Sequence, residues 1–513
     1  MELDRQQCSR ARLARDARFD GKFFIGVEST KIYCRPICRS RTSKECNVRY
    51  FLSAAAATQA GYRPCLRCRP EGSPGTAAWA GTQNTVSRAL QLISESGLED
   101  GGVEALADRL GVGSRHLRRL FLRHLGATPT AVAQTRRLHF AKKLIDETCL
   151  PMGQVAMAAG FGCVRRFNDA IQKTYHRTPK QIRRLAPKAE AQPENEYQFH
   201  LNFRPPYNWQ RLLEFLAARA TPGVEAVNDG TYRRSISFEG EKGFLEVSLD
   251  EGHNALAARV QIGDPRLLFC VIERVRAMFD LNADWGVIAK TLRSDAAMAA
   301  RVHAEAGLRV PGCWDPFELI IRAIVGQQLS VKAATTLAGR LAHSYGQAFE
   351  TAPGLTRLFP GPKVLADANL AGIGLTTARA ATIRAFARAV CERRIAFDAI
   401  VDLGEFRAQL CEIPGIGKWT AEYAAMRALR DPDAFPADDL GLRRTADDCR
   451  AAELERRAEA WRPWRAYAAM LLWQGAAQAE KPAVTGRAAL VSFTSKKPTA
   501  SKATKSGTSR RIA

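Results

Sequence analysis

At 513 residues the chain exceeds what one hydrophobic core spans, and at roughly 150 residues per domain about three domains are expected. Its 76 Lys+Arg against 52 Asp+Glu leave a formal charge of +24, which points to polyanionic partners, nucleic acid first. No run of about 18 uninterrupted apolar residues suggests a membrane span, Met1–Asp20 lacks the apolar stretch of a secretory leader, and an odd thirteen cysteines argue against a disulfide framework. A cytoplasmic protein with no membrane partner is therefore expected, whose clustered cysteines serve metal binding or reactivity.

Residues 1–76 combine short mixed strands, turn residues and cysteines, and end in the linker-like Glu71-Gly72-Ser73-Pro74-Gly75. They contain Cys34-Arg-Pro-Ile-Cys38 and Cys65-Leu-Arg-Cys68. Two close-spaced pairs suit one tetrahedral Zn²⁺ held by four thiolates; separate buried thiols are the alternative. No histidine precedes His116, and Cys8 and Cys46 have no partner at ligand spacing. Zinc would keep a bound thiol deprotonated.

Tyr33-Cys34-Arg35-Pro36-Ile37-Cys38-Arg39, followed by Gly61-Tyr62-Arg63-Pro64-Cys65-Leu66-Arg67-Cys68-Arg69-Pro70, resembles the N-terminal domain of the Ada family. The resemblance implies that Cys34 is both a zinc ligand and the irreversible acceptor of a methyl group from DNA methylphosphotriesters, with Cys38, Cys65 and Cys68 as companion ligands. Methylation would change the site from about −2 to about −1 and so lower its repulsion from DNA phosphates. Arg35, Arg39, Arg41, Arg63, Arg67 and Arg69 are expected either to hold those phosphates or to form a solvated basic face.

Residues 77–187 read as a basic, all-α segment. Val103–Leu110, the turn Gly111-Val112-Gly113 and Ser114–Leu125 form a helix-turn-helix with Leu106, Leu110, Leu117, Leu120 and Phe121 inside. The pattern recurs at Gln154–Ala159, Gly160-Phe161-Gly162 and Cys163–Tyr175, joined by a helix over Thr130–Thr148. Arg115, His116, Arg118 and Arg119 in the first unit, and Arg165, Arg166, Asn168 and Gln172 in the second, face outward as candidate DNA contacts. The run Ala-Gly-Phe161 … Phe167 … Thr178-Pro179 resembles the AraC-type domain that follows the zinc module in Ada proteins. It implies promoter binding, and contact with RNA polymerase during activation. The second methyl-acceptor motif of many Ada proteins, Pro-Cys-His-Arg, is absent, so direct repair of O6-methylguanine is not expected.

A second linker is expected over Pro187–Glu196. Residues 197–281 mix a helix at Trp209–Arg219 with strand-like runs at Ser235–Phe238 and Phe244–Leu249, an α+β subdomain. Residues 282–480 read as almost wholly helical. Residues 481–513 are too poor in apolar residues to pack and read as a disordered basic tail.

Within the helical region stands Ile413-Pro414-Gly415-Ile416-Gly417-Lys418-Trp419-Thr420-Ala421. Gly415 and Gly417 allow a tight hairpin whose N–H groups meet a DNA phosphate at the following helix N-terminus, where Thr420 stands; the same run also suits an ordinary helix connection. Further on comes Phe435-Pro436-Ala437-Asp438-Asp439-Leu440-Gly441-Leu442, and upstream Pro311–Phe317 and Ile324-Val325-Gly326-Gln327-Gln328.

This set, with Arg204–Trp209, Phe215–Arg219 and Trp461–Trp464, resembles the helix-hairpin-helix DNA glycosylases, and among them the AlkA-type 3-methyladenine DNA glycosylase II. The resemblance implies a catalytic carboxylate at Asp439, with Asp438 expected to cap the next helix. It places Trp419, Tyr423 and Trp473 around a flipped base, where stacking and cation–π attraction favour an electron-deficient ring; plain core packing is the other reading of these aromatics. Trp419 stands where lyase-active relatives carry lysine, so a monofunctional enzyme is expected. The carbonyls of Cys411, Ile413 and Ile416 match an optional monovalent cation site. Gln328 occupies the place of the wedge that fills the gap left by the flipped base, a leucine in close relatives. The sequence thus implies a multidomain, mainly α protein acting on double-stranded DNA: zinc-bound α+β module, double helix-turn-helix, and α+β subdomain with helical glycosylase. A regulator whose last module binds DNA without chemistry is the alternative.

Overall fold

The computed structural model describes residues 3–75, 83–96, 102–186, 193–397 and 402–479. The expected tail and most of the expected linker at 187–196 lie outside the described residues. Among the described residues no helix is long and apolar enough to cross a membrane.

The first module is built on a four-stranded sheet in the order Val48–Phe51, Phe24–Val27, Ile32–Cys34, Arg63–Pro64. Ile32–Cys34 pairs antiparallel with Phe24–Val27 and parallel with Arg63–Pro64, so Tyr33 stands opposite Pro64. This parallel pairing brings the two distant cysteine pairs together, since each pair begins where one of the two strands ends.

The helices Gly102–Arg109, Ser114–Leu125, Met152–Ala158 and Val164–Tyr175 form the two helix-turn-helix units, joined by Pro129–Glu147. Leu117, Leu120 and Phe121 are buried on one face of Ser114–Leu125, as their spacing requires. That helix stops at Gly126, whose φ of +66° an L-residue takes only with strain. Thr128 and Thr178 cap the helices that follow the two units through their hydroxyls.

A five-stranded antiparallel sheet follows, in the order Glu196–Asn202, Ala255–Ile262, Glu241–Asp250, Thr231–Phe238, Glu225–Asn228. Tyr197, Phe199 and Leu201 alternate inward, and Trp209–Arg219 is a helix as expected. The region after Asn282 is less purely helical than its sequence suggests. Ala348–Ala352 and Leu355–Arg357 form a hairpin turned at Gly354 (φ +83°), and buried Leu355 bridges back to Gly223. Packing against the preceding subdomain decides the conformation of this short segment over local propensity.

The apolar cores cut across these modules. One joins the zinc-module sheet to the first helix-turn-helix unit. A second joins the other unit, the five-stranded sheet and the helices around 268–314 and 425–472. A third holds 317–424. The helix Lys418–Arg427 belongs to both of the last two, through Ala421 and Ala424 on one side and Ala425 and Met426 on the other. Its first turn therefore opens at the seam between them.

The zinc module also docks by polar contacts. Tyr33 Oη lies 2.9 Å from Nε2 of His139 on the connecting helix. Burial drives His139 down from 6.5 to about 4, with Glu71 opposing and Lys142 adding to the shift. The unfolded chain then binds more protons than the folded one between those values, so stability falls as pH drops from 6.5 to 4. The loss amounts to about 3 kcal/mol, and a His139→Gln variant followed by thermal unfolding across this window should lack it.

Candidate functional site

Cys34 ends a strand, Cys65 follows the strand parallel to it, and the Sγ atoms of Cys34, Cys38, Cys65 and Cys68 all lie within 4.8 Å of one another. A tetrahedron of four sulfurs at about 2.3 Å from a Zn²⁺ has edges of about 3.8 Å, so the cluster fits that ion. Cys38 and Cys65 push the Cys34 thiol far above its ordinary range, and Cys34 and Cys38 do the same to Cys68. A divalent cation relieves this mutual exclusion of charge. The backbone N–H of Arg35 donates to Cys68 Sγ at 3.3 Å.

The surrounding arginines divide. Arg35 is 6% exposed, pairs with Asp20, and donates to the Cys68 carbonyl at 3.2 Å. Arg69 pairs with Asp146 at 2.7 Å and Glu147 at 3.2 Å. Neither is a free phosphate ligand, contrary to the sequence reading, because each is consumed in holding the module together. Arg39, Arg41 and Arg67 are exposed and remain available.

Sequence reasoning missed Arg204, whose charge is buried to seat the zinc module on the third. Its Nε donates to the Asp20 carbonyl at 2.7 Å and its Nη1 to the Asn282 carbonyl at 2.6 Å. Burial pulls Arg204 down to about 10. The only signal was its place in the Arg204–Trp209 run.

On the helix-turn-helix units Arg115, His116, Arg118, Arg119, Arg165, Arg166, Asn168 and Gln172 are all exposed. Arg118 lies 2.7 Å from Glu104, and Arg119 3.0 Å from His116 Nδ1. Both are surface contacts, cheap to exchange for a DNA phosphate.

At the seam, the helices Leu403–Cys411 and Lys418–Arg427 flank the expected hairpin. Gly415 has φ +89°, and a Cβ there would stand 2.1 Å from Thr382 Oγ1, so glycine is required. Gly417 is the N-cap of Lys418–Arg427 and no side chain caps that end. Its N-terminal N–H groups are left without a side-chain cap, at an end where the helix dipole favours an anion. Thr420 is buried, against the expectation of a DNA contact, with its Oγ1 3.2 Å from Gln327 Nε2. Gln328 is exposed with φ +57°.

Asp439, Trp419, Tyr423 and Trp473 converge. Trp419 Nε1 donates to Asp439 Oδ2 at 2.9 Å and Trp473 Nε1 to Oδ1 at 2.8 Å. Leu442 N–H also donates to Oδ1, at 3.0 Å, so Asp439 itself is the cap of Leu440–Thr445, and exposed Asp438 is not. The chain enters that helix one residue later than the sequence suggested. Trp419 and Tyr423 stack at 5.3 Å and 10°, one turn apart on one helix, and Trp473 meets Tyr423 edge-on at 6.3 Å. Burial raises the Tyr423 phenol, but Arg427, whose Nη1 donates to its Oη at 2.6 Å, and Arg219 together hold it below its ordinary value. Gly441 keeps the site open, since a Cβ there would stand 3.1 Å from Asp439 Oδ1. Lys418 pairs with Glu455 at 3.0 Å.

A four-thiol module, paired helix-turn-helix units and a hairpin beside a tryptophan-bracketed aspartate define a fused DNA-binding and repair protein. Its segments match, in order, the metal binding domain of Ada (7–71), a helix-turn-helix domain (106–185), the AlkA N-terminal domain (198–315) and the HhH-GPD superfamily base excision DNA repair protein (321–465). The chain is 39% identical over 482 residues, covering 92% of itself and 97% of the relative, to the "Probable bifunctional transcriptional activator/DNA repair enzyme AlkA" of Mycobacterium tuberculosis (strain CDC 1551 / Oshkosh). It belongs to this family of fused Ada- and AlkA-type proteins. It is also 34% identical over 279 residues to "DNA-3-methyladenine glycosylase 2" of Escherichia coli K12, covering 54% of this chain and 96% of that one. Over 175 residues it is 34% identical to "Bifunctional transcriptional activator/DNA repair enzyme Ada" of the same organism, covering 33% and 47%.

Proposed function

We propose that this chain accepts a methyl group from DNA methylphosphotriesters on Cys34, regulates transcription through its helix-turn-helix units, and excises alkylated bases such as 3-methyladenine by monofunctional hydrolysis of the N-glycosyl bond. The observation that carries the excision is the Asp439 carboxylate held between the indole N–H groups of Trp419 and Trp473.

Three donors fix that carboxylate before substrate arrives, so its charge needs no reorganisation as positive charge develops on the sugar. The C1′–N bond breaks with its electron pair on the departing base, already cationic through alkylation, and water adds at C1′ with loss of a proton. Trp419, Tyr423 and Trp473 offer ring faces and edges to the extrahelical base. The Gly415–Gly417 hairpin receives a backbone phosphate, and Gln328 fills the vacated place in the stack. A lyase step lacks its amine, because Lys418 sits one position from the place required and is paired with Glu455. An optional monovalent cation at the Cys411, Ile413 and Ile416 carbonyls would add to phosphate attraction.

At the other end, zinc bound by Cys34, Cys38, Cys65 and Cys68 supplies a thiolate at neutral pH. An S–CH₃ bond forms at Cys34 as the O–CH₃ bond breaks, and the phosphotriester leaves as a phosphodiester anion. Exposed Arg39, Arg41 and Arg67 would hold neighbouring phosphates. Arg115, His116, Arg118, Arg119, Arg165, Arg166 and Asn168 would then read or grip promoter DNA, with RNA polymerase the partner in activation. In a test with the purified chain and methylated duplex DNA, chromatography should show free 3-methyladenine. DNA binding without any released base would leave only the regulator reading.

A further inference from the structure

Between the helix Pro316–Gly326 and the helix Val331–Tyr345 the chain makes a short turn in which Gln328 is exposed. Its φ of +57° is a conformation that a non-glycine residue keeps only when its surroundings hold it. The hold lies one residue earlier. The carbonyl of Gln327 accepts from Arg379 Nη2, and the Gln327 side-chain amide donates 2.9 Å to the carbonyl of Gly415 and lies 3.2 Å from Thr420 Oγ1.

Three elements meet at this one residue, two at its side-chain amide and one at its main-chain carbonyl. Gly415 is the bend of the hairpin, Thr420 stands in the first turn of the helix after it, and Arg379 belongs to Thr377–Cys391. The same helix carries Thr382, against which Gly415 packs too closely for any side chain. Gln327 therefore ties the backbone that presents Gln328 to the backbone that presents the hairpin N–H groups, with no flexible segment between.

Resting on the glycosylase reading above, we propose that Gln327 is a positioning residue that sets the wedge Gln328 in register with the phosphate-binding hairpin. A phosphate seated on the hairpin then fixes where Gln328 enters the stack, so that gripping the strand and opening the base pair are one motion. A carboxamide suits the task because its NH₂ offers two donors to two acceptors on different elements. Gln327→Ala removes both bonds, and Gln327→Glu keeps the shape but sets a carboxylate against the Gly415 carbonyl.

The test compares both variants with the unaltered chain on two duplexes, one with the alkylated base opposite a normal partner and one with it opposite an abasic gap, where the wedge displaces nothing. A 2-aminopurine beside the lesion reports flipping without any bond being cleaved. On the paired duplex both variants should release base about ten-fold or more slowly under single turnover, since a misplacement of an ångström is costly, and should lose most of the fluorescence rise. KM and melting temperature should barely move. On the gapped duplex release should return to within about three-fold of the unaltered rate, the accelerating effect of register being unnecessary there. Equal slowing on both duplexes would overturn the proposal in favour of a merely structural role, and so would full flipping in either variant. No base release by the unaltered chain would instead sink the glycosylase reading, while the fluorescence arm would still judge the register.

Discussion

Replacing Asp439 with asparagine should slow release of 3-methyladenine by about 10²–10³-fold, the range seen when one preorganised electrostatic group is lost from a transition state. The change removes the charge that faces the developing oxocarbenium ion. It also sets an NH₂ group against an indole N–H, because the two oxygens of Asp439 accept from Trp419, Trp473 and Leu442 and an amide has only one oxygen to offer. The helix cap survives, since asparagine caps as well as aspartate does. Folding and DNA affinity should accordingly stay close to those of the unaltered chain, with the loss in the chemical step. Single-turnover release beside an equilibrium binding measurement separates the two. A variant that retains full release would remove Asp439 from the mechanism.

A Cys38→Ala variant should hold its zinc far more weakly and give it up to a chelator that leaves the unaltered chain loaded. Binding of a structural Zn²⁺ contributes about 10–16 kcal/mol, and with three thiolates left a water, a weaker ligand, must complete the tetrahedron. Cys38 is not the methyl acceptor, so its loss tests the ligand set independently of the nucleophile. The zinc-module sheet shares a core with the first helix-turn-helix unit through Phe24, Tyr33, Phe51, Leu117 and Phe121. Loss of metal should therefore expose that unit to protease as well, while the seam around Asp439, built on other cores, keeps its activity. After dialysis against the chelator, metal analysis should find one zinc per unaltered chain and well under one in the variant. Retention of zinc and of methyl transfer would refute the four-cysteine assignment.

Much of this was legible because the sequence states it locally. Cys34, Cys38, Cys65 and Cys68 announce themselves by spacing, and the two helix-turn-helix units by apolar periodicity around glycine turns. What sequence could not supply was partnership across the chain. Arg35 and Arg69 look like surface charge until Asp20 and Asp146 are seen beside them. Arg204 shows its use only when the Asp20 and Asn282 carbonyls arrive from distant segments. The exchange of cap between Asp438 and Asp439 is a one-residue matter that two adjacent aspartates leave undecided. Thr420 and Gln327 illustrate the same limit, since their hydrogen bond joins residues far apart in sequence.

The central claim, that one chain carries two separable responses to alkylation, is tested most directly by a double readout on a single reaction. The unaltered chain, Asp439→Asn and Cys34→Ala are each incubated with methylated duplex DNA, the released bases are separated, and the peptide spanning residue 34 is weighed. The unaltered chain should release 3-methyladenine and gain one methyl group on Cys34. Asp439→Asn should keep the methyl gain and lose the release, and Cys34→Ala should do the reverse. Absence of both signals from the unaltered chain, or loss of both in either variant, would contradict the account.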